Sequence, residues 1–206
     1  MQALERFWEH LATYSLDDLV MYSAQAYQSM VATYNAQYWP WSQAVALAAI
    51  VAMLALVCRV SRQSTSVMLA LLAAGCAWVG WAFFQQHYAT LHWAANRFAG
   101  LFYAMALVLI AAAASSLRQP LERLDAVTTK AGRSLMLWVC LAWPVLGWFK
   151  YGDVLRMQWV GLMPDATACA VLLAALLCRK WLGIPLFLLA SAWLAYSAAL
   201  AWALGG

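Results

Sequence analysis

The chain reads as an all-α integral membrane protein, a bundle of about six transmembrane helices preceded by two amphipathic interfacial helices. Three observations predict this. Of the 206 residues, 67% are hydrophobic and 10% charged, whereas a soluble domain is about a quarter charged. Six apolar runs approach the ~20 residues that cross a hydrocarbon core. These runs are rich in Ala and Leu without period-two alternation, so in lipid they form helices rather than barrel strands. The same composition excludes a disordered chain and argues against a soluble enzyme, a nucleic-acid binder or a secreted disulfide scaffold.

Residues 1–43 are too polar to span and are expected to form interfacial helices on the outer face. Leu4, Phe7, Trp8 and Leu11 repeat at helical spacing, while Glu5 and Glu9 point elsewhere. A second helix is expected from Ser15, with Ser15 to Asp18 as a capping-box variant and a stripe through Leu19, Val20, Tyr27, Met30, Val31 and Tyr34. These helices lie flat on the outer leaflet or fold over the bundle. Tyr38, Trp39 and Trp41 mark the water–lipid interface. No cleavable signal peptide is expected, because the first forty residues hold five charges and no apolar core.

Residues 44–204 are expected to form the six-helix bundle, and 1–206 a single domain. The spans fall near Ala44–Val60, Ser66–Gln85, Phe98–Leu117, Leu135–Phe149, Ala166–Cys178 and Pro185–Leu204. Pro144 should kink the fourth. The fifth is the shortest, and five spans result if it is re-entrant. Arg59, Arg62, Arg118, Arg123, Lys130, Arg133, Arg179 and Lys180 fall on one side, against Arg6, Arg97, Lys150 and Arg156 on the other. The positive-inside rule then predicts that both termini are extracytoplasmic. Small residues at Ser191, Ala195 and Ala198/Ala199 suit close helix packing, internal or between subunits.

Polar chemistry concentrates at the predicted outer face. No ionisable residue falls in the middle of a span, which lowers the case for a proton-driven transporter. His87 and His92 share one short connection, and Asp165 comes from a neighbouring outer loop. If the connection bends, the three form a candidate metal site of nitrogen and oxygen ligands, with Asp153 as a further oxygen donor. Arg97 is expected to snorkel or to pair with Asp153 or Asp165. The five cysteines form no Cys-x-x-Cys pair and are expected to pack as buried thiols. Most of the thirteen tryptophans fit an aromatic belt, with an aromatic-walled pocket for a quinone, pigment or organic cation as the sharper reading. A Gly-rich phosphate loop, a Ser/His/Asp set and an HExxH helix are all missing from the sequence. No cofactor is indicated.

The residues also carry a resemblance. Tyr14-Ser15-Leu16-Asp17-Asp18-Leu19-Val20-Met21-Tyr22-Ser23, followed by Tyr27, Tyr34-Asn35 and Trp39-Pro40, resembles the N-terminal signature of an uncharacterised family of bacterial multipass membrane proteins, a domain of unknown function. Trp78-Val79-Gly80, Ala94-Ala95 with Phe98, Trp143-Pro144, Pro164 with Thr167, and Ile184-Pro185 follow in the expected order. Phe83-Phe84 and His92-Trp93-Ala94-Ala95 stand where the family pattern has Tyr-His and Asn-Pro-Ala-Ala. The resemblance implies architecture and no activity.

Three functions follow as expectations. The first is a non-catalytic accessory or structural subunit of a larger membrane complex, with the lipid bilayer and other membrane subunits or a second copy as partners. The second is a small transporter or channel for a neutral solute or metal, with a polar path through Gln85, Gln86, Ser191, Tyr196 and Ser197. The third is a metal- or cofactor-bearing membrane enzyme with its site around His87, His92 and Asp165. Nucleic acid is not an expected partner.

Overall fold

The computed structural model describes residues 22–57, 61–118 and 126–205, and among these the secondary structure is all helical. Seven α-helices follow in order: α1 (Ala24–Tyr38), α2 (Trp41–Val57), α3 (Arg62–Trp78), α4 (Ala95–Arg118), α5 (Ala126–Tyr151), α6 (Pro164–Ala175) and α7 (Lys180–Gly205). Each of α2–α7 overlaps one predicted span. The expected helix through Leu4–Leu11 and the expected start at Ser15 lie outside the described residues. The stripe from Tyr27 to Tyr34 belongs to α1, which begins at Ala24 because the Ser23 side chain accepts the Ala26 N–H at 3.2 Å.

Local sequence sets the other boundaries. Ser61 and Ser64 form a reciprocal capping box that starts α3. At its far end α3 widens into a π-helical turn over Val79–Gln85, and a short 3-10 turn at Tyr88–Thr90 leads to α4. Pro144 lies inside α5. Pro164 opens α6, where its missing N–H is one of the donors a helix start leaves unpaired.

The bundle is built around α3, α4, α6 and α7: α3 packs along α4, α6 along α7, α4 against α7, and α3 against α6. α5 flanks α6, and α2 lies against α3 and α5. Met68, Leu72 and Cys76 of α3 meet Phe102, Met105 and Leu109 of α4, with Val171 and Ala174 of α6 and Leu186 and Ala190 of α7. One contact is unusually close. A Cβ added to Gly75 on α3 would sit 2.7 Å from the Cα of Gly161, and Gly161 itself has φ +85, a left-handed conformation that glycine adopts without steric cost. Backbone therefore meets backbone where the segment before α6 crosses α3.

Among the described residues, three helical stretches are long and apolar enough to cross a membrane: Arg62–Thr90, Ala95–Arg118 and Lys180–Ala203. Trp41–Ala52, Leu137–Lys150 and Pro164–Ala175 are shorter apolar helices. The buried face of α7 is Leu182, Leu186, Ala190 and Trp193. Of the stripe read from the sequence, Ala195 and Ala198 are exposed, while Ser191 and Ala199 are half-buried.

The N-terminal segment's alternative is decided for α1: it folds over the bundle. Tyr34, almost fully buried, donates its hydroxyl to the Leu162 carbonyl at 3.0 Å and accepts the Trp78 indole N–H at 2.9 Å. Asn35 donates to the Leu155 carbonyl at 2.6 Å and the Met157 carbonyl at 3.3 Å. These bonds tie α1 to the α5–α6 connection and to α3, so the connections after α3 and α5 share one capped end.

Candidate functional site

The capped end gathers aromatic rings with the predicted site residues. His87 follows the π-turn, which aims Phe83 and Phe84 inward, and it lies edge-on to Tyr34 at 5.1 Å. Its Nδ1 donates to the Ala82 carbonyl at 2.7 Å, and its Nε2 is 2.8 Å from the Gln37 side-chain amide. Both ring nitrogens are therefore engaged, one with the π-turn and one with α1.

His92 stacks on Tyr88 with ring centroids 5.6 Å apart and planes 7° from parallel. Its Nδ1 accepts the Ala94 N–H at 3.1 Å, and its Nε2 faces the Tyr196 hydroxyl at 3.4 Å. Tyr88 and Tyr22 share a short hydrogen bond between hydroxyls. Burial pushes the Tyr22 phenol up to about 12, so it stays neutral. Burial also lowers the His92 pKa below its ordinary 6.5.

That shift makes a pH prediction. Between the ordinary value and the lower folded value, the unfolded chain binds more protons, so stability must fall as pH falls through that window. Protonation on Nδ1 would also break the bond from Ala94. In detergent, the thermal midpoint of the wild type should drop as pH is lowered below 6.5. A His92→Gln variant should lose that part of the slope; an unchanged slope would show that His92 does not control it.

Asp165 lies in the first turn of α6. Its Oδ1 accepts the Trp193 indole N–H at 2.9 Å, and the Ser197 hydroxyl is a second donor. The helix N-terminus adds favourable positive potential. Asp165 borders a half-open cavity of about 370 Å³ lined by α1, the π-turn, the connection after it, α5, the α5–α6 connection, α6 and α7. Tyr27, Tyr88, Trp143 and Trp193 supply aromatic walls, and Gln158 supplies an amide. The Gln158 Oε1 is buried with no hydrogen-bond partner among the described residues.

The structure thus brings His87, His92 and Asp165 to one end of the bundle. It does not gather them into a metal cage: among the described residues, no three His, Cys, Asp or Glu groups are placed to hold one ion. Arg97 pairs with neither expected acid. Its guanidinium lies 4.9 Å over the Trp93 ring, while Asp153 meets Arg156 at 3.6 Å and Asp165 meets Trp193. Cys76 and Cys140 are free thiols buried in the core, as their apolar settings imply. Sequence reasoning offered an aromatic-walled pocket without its lining, because Tyr27, Gln158, Asp165 and Trp193 come from four separate segments and share no spacing.

Fold and site together define an all-α protein with helices able to cross a membrane, closed at one end by an aromatic and histidine-bearing cap. The chain belongs to the family of unknown function DUF6064, whose model matches residues 24–204. No curated protein matches it, and neither does any solved structure.

Proposed function

We propose that the protein crosses a bacterial inner membrane six times through α2–α7, with both termini extracytoplasmic, and serves as a non-catalytic accessory or structural subunit of a larger membrane complex. The observation that carries this reading is the open face of α7. This helix is long and apolar, yet only 17% of its most apolar window is buried. Its exposed face includes Ala192, Ala195, Ala198 and Ala201, and small residues let a second helix approach closely in lipid.

Other features support the membrane arrangement. Arg62, Arg118, Arg179 and Lys180 stand at the end of the bundle away from the cap, the pattern of a cytoplasmic side. The 12 residues of α6 extend only about 18 Å. Most of them are buried among neighbouring helices, so this helix need not match the lipid thickness.

Native mass spectrometry of the protein, extracted from its own membrane in gentle detergent, tests the reading. The expected spectrum contains other chains, and Ala195→Trp should remove them. A lone chain would sink the subunit reading. The cavity favours a second reading, a small transporter or channel for a neutral solute or metal, since Ser197 of the expected polar path lines it. Bound metal in the same spectrum would instead favour an extracytoplasmic metal enzyme using His87, His92 and Asp165.

A further inference from the structure

We infer that the cavity at the capped end is a binding site for a small organic ammonium ion. Asp165 supplies a carboxyl group at one wall, where its Oδ1 already accepts the Trp193 indole N–H. Gln158 supplies a buried oxygen that has no donor among the described residues, and a buried acceptor left unpaired is costly. An ammonium group carries both a positive charge for Asp165 and an N–H for Gln158. Its charge also favours the ionised form of Asp165.

The walls suit the rest of such a molecule. Tyr27, Tyr88, Trp143 and Trp193 border the cavity, and aromatic faces attract a desolvated cation through their quadrupoles. The volume of about 370 Å³ falls within the ~300–1,000 Å³ of small-molecule sites. Lys150, which is exposed, also borders the cavity. This inference does not depend on the subunit reading, because the cavity lies within one chain.

The test is equilibrium dialysis of the full chain in phosphatidylcholine nanodiscs, a lipid without net charge. The probes are 2-phenylethylammonium and 2-phenylethanol, which share a carbon skeleton and differ in charge. Saturable binding of the ammonium, at least about tenfold tighter than the alcohol, is expected, a ratio readily resolved as affinity. Asp165→Asn keeps an acceptor for Trp193 and should weaken the ammonium about tenfold while leaving the alcohol unchanged. Gln158→Met, judged beside unchanged helicity, should weaken it about threefold, a partial loss that follows from removing one neutral acceptor. Equal affinity for the two probes in the wild type, or no saturable ammonium binding, would overturn the site whatever the variants do. So would an Asp165→Asn protein that keeps wild-type helicity and full ammonium affinity.

Discussion

Tyr34→Ala is expected to detach α1 from the bundle and lower stability by about 3–5 kcal/mol, the usual cost of truncating a buried aromatic side chain. The ring is almost fully buried and packs edge-on against Phe83 and His87. Its hydroxyl joins the Trp78 indole to the Leu162 carbonyl. Tyr34→Phe keeps the ring and strands those two partners, so about 1–3 kcal/mol should be lost. Hydrogen exchange reads the effect directly: amides of α1 should lose protection in the order Ala, Phe, wild type. Unchanged protection in Tyr34→Ala would mean that α1 is held by something other than this residue.

Gly75→Leu carries the second large effect. The first atom of any new side chain would lie 2.7 Å from the Gly161 Cα, and backbone cannot swing aside as a flexible side chain can. Overpacking of this kind costs about 1–3 kcal/mol or more. Gly161→Ala is a useful comparison, since its Cβ would lie 3.5 Å from the Gly75 Cα, an ordinary contact. There the loss reduces to left-handed backbone strain, about 1–2 kcal/mol. Thermal unfolding should therefore rank Gly75→Leu below Gly161→Ala. The reverse order would contradict a close crossing at Gly75.

The helices were legible in the sequence because each span is recorded in a continuous run of apolar residues. Phe98–Leu117 falls inside Ala95–Arg118, and the run predicted to be shortest became the shortest of the overlapping helices, α6. Orientation about the helix axis was less legible. Because α7 is apolar nearly all round, it has little periodicity to mark which face is packed. The stripe at Ala195 and Ala198 was read as a packing face, internal or between subunits; within the chain Leu186, Ala190 and Trp193 are the residues turned inward, and the two alanines stay exposed. The candidate site was legible only in part. The clustering of histidines at one end followed from topology, but the partners of His87 lie at Gln37 and Ala82. Such convergence depends on tertiary packing, which no local spacing encodes. The partner chosen by Arg97 was missed for a related reason: Trp93, four positions away, offered an aromatic face 4.9 Å from the guanidinium.

The way α1 is fastened also bears on how freely this protein can vary. Tyr34 and Asn35 reach main-chain oxygens at Leu155, Met157 and Leu162, and every amino acid offers that same oxygen. Drift in the side chains at Leu155 and Met157 leaves the grip itself untouched, as long as the loop keeps its path. The demand for particular chemistry falls on the helix that does the gripping. Relatives that share this architecture are then expected to vary more freely at positions 155 and 157 than at 34 and 35, where a hydroxyl-bearing ring and an amide are needed.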